Sequence, residues 1–229
     1  MLYLYFFLIG FGAKYSGQVY HLFQCGPEAE VEGIGGIIDA YHKTFASGLV
    51  MSSPTVITEV ISTAGAFARS GQEAANAEGK QKYTTLLILT DGAVSDVMAT
   101  AQALEGSSET PLSIIIVGIG SADFSDMQFL DDAARDKPDI CQFVQFNNHR
   151  HDFNSLTAAT LCELPDQMVA YFQRNGIDPL EKVVVEEEDI VVGPAEEEID
   201  LTMDFGEEGD IVVGAGSGMY VPPPKFGNY

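Results

Sequence analysis

The chain has 229 residues, 46% of them hydrophobic, which is enough for one sizeable domain with a buried core and an appendage. Its formal net charge at pH 7 is −23. Because a polyanion repels other polyanions, this charge argues against direct binding to nucleic acid or to an anionic membrane, and it favours cations or basic protein surfaces as partners.

The first segment, MLYLYFFLIGFGA, is strongly apolar. It lacks the basic start and the small-residue cleavage pattern of a secretory signal, and its apolar run of about 11 residues is shorter than the roughly 20 that a membrane span needs. We therefore predict a buried strand over residues 2–12. A shorter strand is predicted at Val19–Cys25.

Two helices are predicted next. Five apolar residues at helical spacing indicate an amphipathic helix over Val31–Ala46, namely Ile34, Ile37, Ile38, Tyr41 and Phe45. Ser53-Pro54 is a typical helix start, with serine as the cap and proline in the first position. The helix that follows is predicted to end near Ser70-Gly71.

Aliphatic runs then alternate with helical patterns. Strands are predicted at residues 82–91, 112–118 and 141–146, and helices at Ser95–Leu104 with Ser95 as the cap, Phe124–Ala134, and Phe153–Asn175 with a kink or break at Pro165. This alternation is typical of a doubly wound α/β domain, whose mostly parallel sheet is covered on both faces. We expect residues 2–12 to join this parallel sheet, with Val19–Cys25 as an antiparallel edge strand.

The composition changes near residue 180. Residues 181–229 contain 13 acidic and 2 basic residues, and the sequence DIVVG occurs in them twice, at 189–193 and 210–214. One interpretation is a solvated, disordered acidic tail. The other is a pair of short motifs that add strands to the sheet edge of a partner. We therefore divide the chain into a domain at 1–180 and an acidic tail at 181–229.

The strand in TTLLILTDGAVSD ends on Asp91, followed by Gly92, which allows a sharp turn. Ligands bind at the carboxyl ends of parallel strands, so the Asp91 carboxylate is predicted at the binding edge. Oxygen ligands suit a hard divalent cation, and Thr55, after Ser53-Pro54, offers a second oxygen. An Asp-Gly pair is also common in simple turns, and threonine is common near helix starts, so a purely structural role stays open for both residues.

Several motifs in order resemble the carboxyl-terminal domain of copines, a branch of the von Willebrand factor A fold. They are GFGAKYSG, SPTVITEVI, TTLLILTDGAVSD, TPLSIIIVGIGSADFSDMQFLD, ICQFVQF and LCELPDQMVAYFQRNGI. The resemblance covers about residues 4–178. It implies a metal-ion-dependent adhesion site built from an Asp-x-Ser-x-Ser-like segment, a threonine matching Thr55 and an aspartate matching Asp91.

The chain departs from the copine pattern in two ways. It contains no Asp-x-Ser-x-Ser sequence, and its first strand resembles the second strand of the family. The strand that the family places between those matching 2–12 and 82–91 has no counterpart, which implies a gap or a re-paired sheet. It also shows no match to the C2 domains that give copines calcium-dependent phospholipid binding. We therefore expect an incomplete, weak site for Mg²⁺, Mn²⁺ or Ca²⁺ at Thr55 and Asp91.

The function expected from this resemblance is intracellular protein binding. Partner proteins, unidentified by the sequence, would be captured at the carboxyl ends of the strands, with contacts from Ser121, Asp123, Ser125 and Asp126. Alternatives are a calcium-dependent phospholipid-binding protein, peripheral at the plasma membrane, and a non-catalytic scaffold related to RING-linked copine-domain ubiquitin ligases. A reducing, cytoplasmic location is expected because three separated cysteines, Cys25, Cys141 and Cys162, include no CxxC pair.

No enzyme signature is complete. Gly10-Phe-Gly12 and Gly118-Ile-Gly120 lack the third glycine of a dinucleotide fingerprint, and neither a phosphate-binding GxxxxGK[ST] nor a GxSxG elbow occurs. His149 and His151 are expected in a surface loop without a role. The Cys/His series of a RING finger is also missing. We expect a binding protein that is not an enzyme.

Overall fold

A computed structural model describes residues 5–92, 94–131 and 137–180 of the chain. The described residues form two compact units. One unit contains residues 5–9 and 24–49, and the other contains residues 10–23 and 50–180. The acidic tail with both DIVVG sequences lies outside the described residues, so the interpretations of that tail stay predictions.

The larger unit is built on a parallel sheet of β8 (Thr84–Thr90), β9 (Leu112–Gly118) and β10 (Cys141–Gln145), in the order β10-β9-β8. The three aliphatic runs after residue 80 are therefore confirmed as parallel strands. All seven residues of the central β9 are buried, as expected for a strand covered on both faces.

Helices cover both faces of this sheet, which confirms the doubly wound α/β fold. They are α2 (Thr58–Ala77), α3 (Val97–Ser107), α4 (Ser125–Asp131), α5 (Phe153–Leu161) and α6 (Leu164–Arg174). A hydrophobic core cluster joins α2, α3 and α4 to the sheet through residues such as Ile61, Ile114 and Met127. On the other face, Ser113 of β9 donates a hydrogen bond to Gln167 of α6.

The first strands differ from the prediction. Residues 2–12 were expected to join the parallel sheet, but their described part contains β1 (Tyr5–Phe7) and β2 (Ile9–Gly10), which pair with β6 (Glu30–Glu32) and β5 (Phe23–Gln24). The β1–β6 pairing is antiparallel. The prediction that this segment is one strand of the parallel sheet is therefore wrong. The chain turns after these strands at Gly12, where φ is +66°, a backbone conformation that favours glycine.

A small antiparallel sheet replaces the predicted edge strand at Val19–Cys25. β3 (Ala13–Tyr15) pairs with β4 (Gln18–Tyr20) on one side and with β7 (Val50–Met51) on the other. The tight turn between β3 and β4 sits at Ser16-Gly17, where both residues have positive φ. Val19–Cys25 is therefore split between β4 and β5 and does not extend the parallel sheet.

α1 (Gly33–Ala46) confirms the first predicted helix almost to its boundaries. α2 begins at Thr58, so the start predicted at Ser53-Pro54 is wrong. The Thr55 carbonyl, which would accept an intrahelical hydrogen bond in such a helix, instead accepts one from the Ser95 N–H at 2.9 Å. α2 also continues to Ala77, past the predicted end near Ser70-Gly71.

The later helix boundaries are closer to the prediction. α3 is capped by Asp96, whose side chain accepts a hydrogen bond from the Ala99 N–H, and so the cap is one residue after the predicted Ser95. The segment 153–175 is divided into α5 and α6, and Pro165 lies in the first turn of α6, where its missing N–H costs little. The break predicted at Pro165 is confirmed.

Candidate functional site

The carboxyl ends of β8 and β9 are joined directly. Thr90, the last residue of β8, is 4% exposed, and its carbonyl accepts a hydrogen bond from the Ile119 N–H at 2.8 Å. The Thr90 hydroxyl donates to the Gly92 carbonyl at 3.1 Å, which fixes the turn around Asp91. Asp91 itself is exposed, so its carboxylate at the end of the strand is accessible to solvent.

The Thr55 loop lies against the loop that follows β8. The Thr55 carbonyl accepts the hydrogen bond from Ser95, four residues after Asp91. Thr55 is half-buried, and α2 begins three residues later. The two loops that carry the predicted metal ligands are therefore hydrogen-bonded neighbours, although Thr55 and Asp91 are 36 positions apart in the sequence.

The loop after β9 is anchored by Phe124, which is buried and packs against Phe143 with ring centroids 5.6 Å apart. A Cβ atom at Gly118 would lie within 3.0 Å of both rings, so only glycine fits there. Two residues after Gly118, the Gly120 carbonyl accepts a hydrogen bond from the Asn147 side chain at 2.5 Å. The ends of β9 and β10 are thereby tied together.

Four exposed polar residues flank the Phe124 anchor, namely Ser121, Asp123, Ser125 and Asp126. The Asp123 carboxylate accepts a hydrogen bond from the Ser125 N–H at 3.0 Å, and hydrogen bonds from the Ser125 backbone and side chain lower the pKa of Asp123. Asp123 therefore stays ionised and shapes the loop. We call the surface formed by Thr55, Asp91 and these four residues the carboxyl edge.

The carboxyl edge carries three exposed carboxylates, those of Asp91, Asp123 and Asp126. Within the described residues, no group of three or more His, Cys, Asp or Glu side chains is placed to hold a metal ion. The carboxyl edge can supply isolated carboxylate and hydroxyl oxygens as ligands. Water or a partner would fill the other coordination positions of a bound cation. Metal binding at Thr55 and Asp91 stays a prediction.

A cavity of about 260 Å³ lies beside β10 and was not predicted from the sequence. It is lined by Gln128, Gln142, Phe143, Val144, Gln145, Asn148, His149, Ala159 and Cys162. His149 borders it, with its Nδ1 atom 2.7 Å from the Ser155 hydroxyl. The amide residues come from α4, β10 and the turn after β10, so no short sequence motif could have indicated that they converge. None of the predicted site residues lines the cavity.

The environments of two cysteines near this cavity give a testable contrast in reactivity. Cys162 is exposed, whereas Cys141 is 3% exposed. Burial raises the pKa of Cys141 strongly, and the negative charges of Asp131, Asp139 and Glu163 raise it further. Because the thiolate is the reactive form, we expect iodoacetamide at pH 8 to modify Cys162 quickly and to leave Cys141 intact.

Peptide mass spectrometry of the native protein would measure both cysteines at once. Denaturing the protein first should expose all three thiols, and Cys162→Ser should remove the fast modification. Equal rates at Cys141 and Cys162 in the native protein would contradict the burial of Cys141.

Among the described residues, no helix combines the length and the apolar character that crossing a membrane requires.

Comparison with known proteins connects this fold to one family. The copine domain family matches residues 5–180. The chain is 39% identical to Copine-E of Dictyostelium discoideum in an alignment of 183 positions that covers 75% of this chain and 31% of that protein. It is 35% identical to Protein BONZAI 1 of Arabidopsis thaliana in an alignment of 185 positions that again covers 75% of this chain and 31% of that protein.

Copine-C of Dictyostelium discoideum is 35% identical in an alignment of 184 positions that covers 75% of this chain and 33% of that protein. The chain thus spans about a third of the length of these curated relatives. The match covers both compact units and reaches the end of the described residues. On this evidence the chain belongs to the copine family.

Proposed function

We propose that the carboxyl edge is a protein-binding surface at which a divalent cation, held weakly by Thr55 and Asp91, bridges to a carboxylate of the partner. The side chains expected to contact the partner directly belong to one loop, namely Ser121, Asp123, Ser125 and Asp126. This proposal rests on family membership together with the geometry of the strand ends. Mg²⁺, Mn²⁺ and Ca²⁺ are all candidates, because each takes oxygen ligands.

The observation that supports it most is the hydrogen bond from the Ser95 N–H to the Thr55 carbonyl. This bond replaces a helical one and holds the Thr55 loop beside the loop that follows Asp91. Fixed backbone at both loops limits the entropy lost when a cation or a partner binds. A helix starting at Ser53-Pro54 would have used the same carbonyl internally.

The charge of the surface explains why a cation is part of the proposal. Asp91, Asp123 and Asp126 are exposed on a chain with a net charge of −23, so they repel an acidic partner. A divalent cation reverses the sign locally and leaves coordination positions open for a carboxylate from the partner. Without a cation, the same surface would select basic proteins.

We expect calorimetric titration with each of the three metals to show weak, saturable binding, with a Kd on the order of 10⁻⁴ to 10⁻³ M, that EDTA reverses. Asp91→Asn should abolish it, because the strand-end carboxylate supplies the only full charge of the predicted ligand pair. Glu109→Gln is a matched control, since Glu109 is exposed near the opposite end of β9. Unchanged binding by Asp91→Asn, or equal loss with Glu109→Gln, would reject the cation site.

The wider properties of full-length copines are also proposals for this chain. We propose a cytoplasmic, non-enzymatic binding protein, on the basis of its three free cysteines and the incomplete enzyme motifs. Calcium-dependent phospholipid binding is the alternative proposal, and the resemblance to copines assigns it to C2 domains. We propose that residues 1–229 associate with a membrane only indirectly or through such domains.

A further inference from the structure

The cavity beside β10 lies on the outer side of the parallel sheet. β10 stands at one end of the order β10-β9-β8, so one of its sides has no neighbouring strand among the described residues. Four consecutive β10 residues line the cavity together with residues from α4 and α5, but its described lining includes no residue of β9. The cavity is therefore a cleft along the outer edge of β10, and we call it the β10 cleft.

The backbone groups of β10 point alternately towards β9 and towards this outer edge. The Ile114 N–H donates to the Ile140 carbonyl, so the even-numbered residues bond towards β9. The odd-numbered residues point outward, and the Phe143 N–H accordingly donates to the Asp131 carboxylate at 2.8 Å. The Phe143 carbonyl and the Gln145 N–H therefore face the side of the cleft, where the described residues supply no further strand.

Carboxylates close the amino-terminal half of the same edge. Asp139 accepts a hydrogen bond from the Cys141 N–H at 3.1 Å, and Asp131 accepts the one from Phe143. Asp131 also accepts a hydrogen bond from the Gln128 side chain, which ties α4 to β10. A strand cannot pair along the whole of β10, because pairing needs the outward N–H groups that these carboxylates occupy. Only the carboxyl-terminal end of β10 remains accessible.

Four side-chain amides line the β10 cleft, those of Gln128, Gln142, Gln145 and Asn148. The Gln142 amide donates to the Ala159 carbonyl, which fixes the wall formed by α5. The amides of Gln145 and Asn148 make no side-chain hydrogen bond within the described residues, and an amide can both donate and accept, as a peptide backbone does. The volume of about 260 Å³ lies below the range of about 300–1,000 Å³ of small-molecule sites, so the cleft suits a short part of a longer ligand.

Negative charge surrounds the closed half of the edge. Burial raises the pKa of Glu163, and the charges of Asp139 and Asp131 raise it further, so the three carboxyl groups lie near one another. The described lining of the cleft itself contains no Asp, Glu, Lys or Arg. The electrostatics therefore favour a ligand that is neutral inside the cleft and positively charged next to it.

We propose that the β10 cleft binds an extended peptide segment of a partner protein, in which a lysine or arginine comes just before a short neutral stretch. One peptide residue beside Val144 would donate its N–H to the Phe143 carbonyl and accept a hydrogen bond from the Gln145 N–H, as in a parallel ladder. In this direction the preceding peptide residues lie towards Asp131, which is why the basic residue comes first. The fixed walls of the cleft limit the entropy lost on binding.

A positional-scanning library of acetylated, amidated hexapeptides, applied to the full chain in the presence of EDTA, tests this specificity. We expect selection of lysine or arginine, followed by neutral residues that favour an extended backbone, such as valine and threonine. EDTA removes any contribution from a cation at the carboxyl edge, so the outcome is independent of the proposed function. Selection of acidic residues, or of no residue type, would overturn the proposal.

Gln145→Pro removes the outward N–H on which the proposed pairing depends. The φ angle of Gln145 is −87°, close to the value that proline requires, and its N–H points away from β9, so the sheet should tolerate the change. We expect the affinity for the selected peptide, measured by fluorescence anisotropy, to fall about tenfold or more. Gln145→Ala is the matched control, because it removes the same side chain and keeps the N–H, and it should weaken binding by about threefold at most.

NMR of the native chain gives a second measurement that needs no variant. The selected peptide should shift the backbone amide of Gln145 and the side-chain amides of Gln145 and Asn148, with Leu86 of β8 unchanged. If the melting temperature shows that Gln145→Pro is unfolded, these shifts decide the question. Equal affinity of the two folded Gln145 variants would overturn the proposal. Shifts confined to Asp91 and its loop would also overturn it and would place the peptide at the carboxyl edge.

Discussion

Ile114→Ala should lower the free energy of unfolding by about 2–5 kcal/mol, the usual cost of such a truncation in a packed core. Ile114 is fully buried at the centre of β9, between Leu86 of β8 and Cys141 of β10. Its side chain belongs to the cluster that α2, α3 and α4 form with the sheet. Removing it leaves a cavity in tightly packed surroundings, which adds to the lost hydrophobic transfer energy.

Urea unfolding followed by circular dichroism would measure the effect. Met98→Ala is the control, because Met98 is 64% exposed on α3 and its truncation should change stability by less than about 0.5 kcal/mol. Equal losses of unfolding free energy in the two variants would mean that β9 is not the centre of the core. A changed slope of the unfolding free energy against urea concentration would indicate that the two compact units unfold separately.

The parallel sheet could be predicted because each of its strands is a short aliphatic run of consecutive residues. The run SIIIVG is a continuous aliphatic segment, as expected for a strand that is buried on both faces, and it forms the fully buried β9. The run LLILT forms β8, where Leu87 and Leu89 are exposed on one face. The apolar run at 2–12 has a similar composition, yet its described part forms two short strands outside the parallel sheet, of which β1 pairs antiparallel with β6. Composition does not encode the turn at Gly12 or the choice of β6 and β5 as partners, because pairing depends on residues distant in sequence.

The positions of the candidate site residues, like the strands, could be predicted in part. Asp91 lies at a strand end because the aliphatic run stops there, and the structure confirms that position. The position of Thr55 depends on its hydrogen bond with Ser95, a tertiary contact that outweighs the local helix signal of Ser53-Pro54. The cavity beside β10 was not foreseen, since its lining comes from segments that meet only after folding.

The open edge of β8 connects the fold to the proposed site. Asp91 follows the last residue of that strand, so whatever pairs with the edge ends close to the predicted ligands. A strand carrying Asp-x-Ser-x-Ser would supply a carboxylate and hydroxyl oxygens there.

Joining an aliphatic strand that ends in Asp-x-Ser-x-Ser ahead of residue 1 should therefore raise divalent-cation affinity about a hundredfold or more, from the millimolar towards the micromolar range. The added carboxylate and hydroxyl oxygens would complete a coordination shell that Thr55 and Asp91 only begin, and a rigid strand would hold them in place. Affinity for cations grows with the number of charged ligands and with the rigidity of the site.

Four chains, with and without the added strand and with Asp91 or Asp91→Ala, would be titrated with Mg²⁺, Mn²⁺ and Ca²⁺ by calorimetry. Asp91→Ala should cancel the gain while leaving the melting temperature nearly unchanged, because an exposed strand-end carboxylate contributes little to the core. An added strand ending in Ala-x-Ala-x-Ala controls for pairing alone and should give no gain. If the ligand-bearing strand binds cations no better than this control, or if its gain survives Asp91→Ala, Asp91 is a turn residue and the adhesion-type site is rejected.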